Sequence, residues 1–143
     1  ISLHIWHQTG EIHLEEVKAL YKNTIHSEVK IEPFIENMAE AYAWADLVIC
    51  RAGAMTISEL IASNSIAILI PFPYAVDNHQ KVNAEILSKN QAGILLEETS
   101  LNFEVIDKEI ELLSKERLYE MSKRLESLKV LNPEKLIADQ LLH

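Results

Sequence analysis

The chain has 143 residues, enough for one domain with a real core, and 48% of them are hydrophobic. Its formal charge of −9 argues against nucleic acid or an anionic membrane surface as the main partner of this chain. The lone cysteine excludes an internal disulfide framework, and no apolar run approaches the roughly 18 residues that a membrane span requires. The opening Ile1-Ser2-Leu3-His4-Ile5-Trp6 has neither the basic region nor the cleavage site of a signal peptide. It also lacks an initiator Met and starts inside a strand-like run, which reads as a piece cut from a longer protein.

Residues 2–6 read as a first strand, left through a turn at His7-Gln8-Thr9-Gly10. Leu14, Val17, Leu20 and Tyr21 follow at helical spacing. His4, His7 and His13 lack the spacing and companions of a metal set. Val29-Lys30-Ile31-Glu32 is a short alternating strand that ends at Pro33-Phe34-Ile35. Residues 36–44 are predicted helical, with Tyr42 and Trp44 as core aromatics.

Residues 47–50 form a short apolar run rich in β-branched residues, the mark of a buried strand. Cys50, at its end, reads as a small core residue rather than a nucleophile. A helix is predicted over residues 55–63, so Cys50 to Glu59 spans a strand, a tight glycine-containing turn and a helix start. Such a junction suits phosphate, because free amides and the positive end of the helix dipole both face the turn. Gly53 lets a ligand approach the backbone, and Ala52 and Ala54 keep the surface small. Arg51 adds positive charge, and Thr56 or Ser58 can cap the helix or bond an oxygen. Glu59 falls one turn into the helix on the face of Met55, where a carboxylate can accept two hydroxyl protons, as from a ribose diol.

Residues 66–70 are a continuous apolar run, again a buried parallel strand. Pro71-Phe72-Pro73-Tyr74 ends it in an extended loop, followed by the polar cluster Asp77-Asn78-His79-Gln80. A helix over residues 80–89 turns Val82, Ile86 and Leu87 inward, and residues 92–96 give a last strand. Two helices finish the chain, over residues 104–128, with a break at Ser114, and over 134–142. Asn132 would cap the last helix and Pro133 would take its first position. Alternation of strand and helix predicts an α/β fold with a doubly wound, Rossmann-like parallel sheet and no internal domain boundary. Ligands of such sheets bind beyond the carboxyl ends of the strands. Phe34-Ile35, the stretch from Arg51 to Met55, and the stretch from Asp77 to Gln80 all fall at strand ends and are expected to face one crevice.

These stretches occur in register with a known pattern: Trp6-His7-Gln8-Thr9-Gly10, Pro33-Phe34-Ile35-Glu36-Asn37-Met38, Ala41-Tyr42-Ala43-Trp44-Ala45-Asp46, Cys50 to Glu59, Pro71-Phe72-Pro73, and Asp77-Asn78-His79-Gln80 with Asn83-Ala84. Together they resemble the C-terminal domain of the MurG family, bacterial N-acetylglucosaminyltransferases that make lipid II for peptidoglycan. The match is densest over residues 1–95 and weaker through the C-terminal helices.

The resemblance implies the C-terminal half of a two-domain GT-B glycosyltransferase. This half would bind UDP-N-acetylglucosamine. The N-terminal domain, outside this chain, would bind the lipid-linked muramoyl-pentapeptide acceptor at the cytoplasmic face of the membrane and make the membrane contact. Carried over by position, Ile35 would pair with the uracil edge through its backbone, beside Phe34. Ala54 and Met55 would offer amides to the diphosphate, next to Gly53 and Thr56. Glu59 would hold the ribose, and Arg51 would brace the loop. His79 and Gln80 would face the sugar hydroxyls, with Asn78 supporting their loop. His79 stands where the family often carries a glutamine, and a neutral imidazole has only one donor and one acceptor.

The resemblance further implies direct displacement at the anomeric carbon with inversion and departure of UDP onto helix-end amides. No cofactor and no metal clamp is implied, in keeping with the absence of an Asp-x-Asp element. The general base and the acceptor-side Gly-rich loop would lie outside the chain, so the chain by itself is expected to bind nucleotide weakly and not to transfer sugar. Three other readings compete: a nucleotide-binding subunit of a split transferase, a UDP-sugar 2-epimerase of the same architecture, and a plain structural domain in which Arg51 and Glu59 form a surface ion pair of little worth.

Overall fold

The computed structural model describes residues 2–24, 27–74 and 79–131. The chain divides into two compact units, Ile1–Trp44 and Ala45–His143. Asp77, Asn78, the Asn132-Pro133 cap and the helix expected over residues 134–142 lie outside the described residues.

In the first unit, β1 (Leu3–Gln8) and β2 (Ser27–Glu32) pair in parallel from Leu3 opposite Ser27 to Gln8 opposite Glu32. The helix α1 (Leu14–Tyr21) makes the crossover. The first strand runs two residues into the expected turn, because His7 and Gln8 still find partners on β2. The pairing then continues without strand geometry, as Thr9 N donates to Glu32 O and Gly10 N to Pro33 O. Gly10 has φ +73°, a left-handed conformation that glycine adopts without strain. Cross-strand pairs stabilise one face of this ribbon. Trp6 Nε1 donates to Glu32 Oε2 at 2.7 Å, and Lys30 Nζ lies 4.2 Å from the Trp6 ring centre.

The helix α2 (Met38–Trp44) starts two residues later than periodicity suggested. Asn37 is the reason: its Oδ1 accepts from Glu40 N at 3.1 Å, which makes it the cap of the helix. Tyr42 is buried as expected, whereas Trp44 is 48% exposed and packs edge-on against Trp6 at 5.8 Å.

In the second unit, β3 (Val48–Cys50), β4 (Ala67–Leu69) and β5 (Ile94–Leu95) form a parallel sheet in the order β3-β4-β5. The central strand explains the unbroken apolar run, since Ala67, Ile68 and Leu69 are fully buried. Three helices cover this sheet with residues at helical spacing. They are Ile57, Leu60 and Ile61 of α3 (Ala54–Ser63), Ile86 and Leu87 of α4 (His79–Ser88), and Met121, Leu125 and Leu128 of α6 (Lys115–Val130).

A left-handed residue follows both α3 and α4, Asn64 directly and Gln91 three positions after Ser88, each with φ 56°. Ser65 N returns to Leu60 O and Ala92 N to Leu87 O, so each helix turns at once into the next strand. The long C-terminal helix expected from residue 104 is two helices, α5 (Phe103–Glu111) and α6. The break falls at Ser114, whose Oγ accepts from Arg117 N at 3.1 Å and starts α6. One element escaped prediction, a single 3-10 turn at Glu98–Ser100 just past β5.

Candidate functional site

Parallel pairing brings the carboxyl ends of β3, β4 and β5 to one edge. Ile70 N donates to Cys50 O and Leu96 N to Leu69 O, so the chain leaves all three strands side by side. Arg51 fastens this edge. Its Nη1 donates to Ile70 O at 3.3 Å, its Nη2 meets Glu98 Oε1 at 2.6 Å, and its guanidinium lies 5.4 Å from the Phe72 ring centre. Its acidic partner thus comes from the unpredicted 3-10 turn, not from Glu59. Lys81 of α4 pairs with the adjacent Glu97 at 3.0 Å, which pushes the Lys81 ammonium pKa up through that hydrogen bond.

The helix α3 begins at Ala54, with Gly53 as its N-cap, a residue with no side chain to bond the first-turn amides. The expectation that Thr56 or Ser58 caps it is corrected here: Gly53 holds the N-cap position, and both of those residues lie inside the helix. Gly53 has φ −63° and ψ 152°, a conformation open to any residue. A Cβ built there would meet only Thr56 Oγ1, at an ordinary 3.8 Å. Neither backbone strain nor internal packing therefore requires glycine at this position. What its small size leaves is open space directly before an uncapped helix start, where amides and the helix dipole favour an anion. Around this space Ala54 and Met55 are exposed, Met55 at 76%, and Glu59 is half-buried one turn on.

Gln80, expected to face sugar hydroxyls, has a main-chain role as well. Its Oε1 accepts from Phe72 N at 2.8 Å and from Ala52 N at 3.3 Å, tying the turns after β3 and β4 together. Both donors are backbone amides, so the oxygen must face them and the amide orientation is settled. Its two lone pairs are thereby engaged, and what Gln80 has for a ligand is its NH2 group. One turn further along α4, Asn83 Nδ2 donates to Ala52 O at 3.0 Å. The main chain of Ala52, itself fully buried, is bracketed on both sides by one helix. Asn83 is 3% exposed and its Oδ1 has no hydrogen-bond partner among the described residues. Such an orphan costs about 1–3 kcal/mol. Sequence reasoning placed Asn83 in the pattern but gave it no role, although its position three residues before Ile86 already marked an asparagine on an apolar face.

Phe34 and Ile35 belong to the first unit. Phe34 is 61% exposed. Ile35 N donates to Gln8 Oε1 at 2.8 Å, so the amide assigned to a base already has an acceptor from the end of β1. His79 is exposed at the start of α4. Cys50 is half-buried rather than a core residue, and burial pushes its thiol up to about 11, which suits no nucleophile at neutral pH. Among the described residues, no cluster of three or more His, Cys, Asp or Glu could hold a metal ion, and no helix is long and apolar enough to cross a membrane.

A family model described as the glycosyltransferase family 28 C-terminal domain matches residues 1–141. The chain belongs to this family. It is 49% identical over 144 residues to the UDP-N-acetylglucosamine–N-acetylmuramyl-(pentapeptide) pyrophosphoryl-undecaprenol N-acetylglucosamine transferase of Vesicomyosocius okutanii, covering 99% of this chain and 41% of that one. The protein of the same name from Methylococcus capsulatus is 48% identical over 120 residues, 82% of this chain and 34% of its own. Among solved structures, Acinetobacter baumannii MurG matches with a TM-score of 0.84 and 32% identity over 100% of this chain and 44% of that chain.

Spinosyn forosaminyltransferase SpnP, at 13% identity and a TM-score of 0.61 over 99% of this chain and 43% of that one, shares the fold alone. This family 28 chain therefore has the Rossmann-like architecture of a GT-B C-terminal half. It spans about two fifths of the length of the curated relatives it matches.

Proposed function

We propose that this chain is the donor-binding part of a hexosyltransferase that moves N-acetylglucosamine from UDP-N-acetylglucosamine to a lipid-linked muramoyl-pentapeptide. The reading treats residues 1–143 as one donor domain. It places the acceptor site, the general base and the membrane contact in sequence outside this chain, with the whole enzyme working at the cytoplasmic face of the membrane. The curated relatives carry names for that reaction, and each is more than twice as long as the stretch it shares with this chain.

One observation carries the proposal: the uncapped start of α3, opened by Gly53, at the carboxyl edge of the parallel sheet. Exposed Ala54 and Met55 amides would take the diphosphate, with Arg51 holding the turn rigid and Thr56 bordering it. Glu59 would accept both ribose hydroxyls. The main chain of Ile35, beside Phe34, would read the base. His79 and the NH2 group of Gln80 would meet the sugar, with Asn78 in support. The leaving UDP would be stabilised by amides already oriented before reaction, which is how such sites lower a barrier.

Calorimetry with UDP, UDP-N-acetylglucosamine and ADP tests this. The chain should bind both uridine nucleotides and discriminate against ADP. Glu59→Ala should weaken UDP by roughly tenfold, the loss of a charged hydrogen-bond pair. Equal binding by the variant removes the ribose role of Glu59, and equal binding of ADP removes the uridine reading.

A further inference from the structure

A peptide group is planar and trans, so its carbonyl oxygen and the next residue's N–H point in opposite directions. Fixing one fixes the other. At the turn after β3, the carbonyl of Ala52 is held by Asn83 Nδ2 at 3.0 Å, inside the protein. The N–H on the far side of that peptide belongs to Gly53, the residue that faces open space before α3. We propose that Asn83 is a positioning residue that aims the Gly53 N–H outward, toward the phosphate oxygens of a nucleoside diphosphate. The inference rests on the reading of this turn as the diphosphate floor.

Three features favour a role in binding over a role in stability. Ala52 is fully buried, so no solvent water can replace the Asn83 donor at its carbonyl. The other end of the same carboxamide, Oδ1, is buried with no partner among the described residues. An apolar side chain of similar volume, such as its neighbours Ile86 and Leu87 on α4, would remove that orphan and leave the Ala52 carbonyl without its donor instead. The service rendered by Asn83 is thus confined to its donor end, and that donor meets only the turn. Gln80 completes the arrangement by taking the Ala52 N–H inward, so the two peptides flanking Ala52 are both fixed from α4. Successive main-chain groups locked in this way form a preset concavity for an anion.

The test uses the 143-residue chain with UDP as the probe, alongside Asn83→Leu and Asn83→Asp. Leu removes the donor and the Oδ1 orphan together but leaves the buried Ala52 carbonyl without a donor, so one unsatisfied group replaces another. Asp keeps the shape but has no donor to give the Ala52 carbonyl when ionised. Asn83→Leu should melt within a few degrees of the parent yet bind UDP roughly tenfold more weakly. Asn83→Asp should bind at least as weakly as Leu. In nitrogen-15 spectra, UDP should move the Gly53 amide resonance of the parent much further than that of Asn83→Leu. A Leu variant that binds UDP like the parent, or that loses stability while keeping affinity and the Gly53 shift, overturns the inference and leaves the donor-site reading standing. A parent chain that shows no UDP binding instead removes the donor-site reading, and the inference with it.

Discussion

The carboxamide oxygen of Gln8 lies 2.8 Å from the amide nitrogen of Ile35. A glutamine carboxamide and a pyrimidine carbonyl present the same kind of acceptor, so Gln8 occupies the contact that the proposal assigns to the base. Binding a uridine nucleotide then exchanges one acceptor for another and gains little at this amide. Removing the internal acceptor should change that. Gln8→Ala is expected to tighten UDP by about two- to tenfold, the worth of one net hydrogen bond. Gln8→Glu, with a stronger ionised acceptor, should weaken it. Calorimetry on the three proteins decides, and identical affinities would show that the Ile35 amide does not meet the base.

Gly53 yields a prediction in which stability and binding part company. The backbone at Gly53 suits alanine, and the added Cβ finds only an ordinary contact at 3.8 Å. Reduced freedom of the unfolded chain favours alanine by roughly 0.4–1 kcal/mol. The poorer N-cap disfavours it by a similar amount. Gly53→Ala should therefore change unfolding free energy by less than about 1 kcal/mol while weakening UDP severalfold, because the methyl group enters the space before the first-turn amides. Gly53→Val should abolish binding. Denaturant melts paired with titrations measure both quantities. Unchanged affinity in the valine variant would show that no ligand approaches this turn.

Cys50 makes the chain sensitive to alkali. Its thiol ionises near 11 in the folded protein against an ordinary value of 9.0, because burial penalises the thiolate. Below about pH 9 both states carry the proton and stability is fully present. Between 9 and 11 the unfolded chain loses the proton first, so stability falls as pH rises, by about 2–3 kcal/mol in all. Cys50→Ala removes this component. Melts of parent and variant from pH 8 to 11 should show the parent losing stability faster, and parallel curves would mean that the thiol is solvated.

Much of this structure was readable from local pattern. The apolar run around Ile68 announced a strand buried on both faces, and Ser114 announced the break between α5 and α6. The strand-turn-helix junction at Arg51 to Glu59 was legible because glycine, small residues and helical spacing all agree there. What escaped depends on partners distant in sequence. Glu98 meets Arg51 across 47 positions from a 3-10 turn too short to leave a periodic signal. The backbone service of Gln80 was not legible either, because a polar cluster beyond a strand end gives no sign that one of its oxygens takes two main-chain amides. Trp44 misled for another reason, since a large apolar ring counts as core by composition, while here it lies edge-on to Trp6 and half in water.

The grip of α4 on Ala52 has a thermodynamic corollary. A turn whose peptide planes are already locked when the chain folds has little freedom left to surrender when a guest arrives. On the proposed reading, association at this turn would be a matter of desolvation and charge rather than of rearrangement, and choosing among nucleotides would fall to Ile35, whose amide Gln8 must release before a base can be admitted.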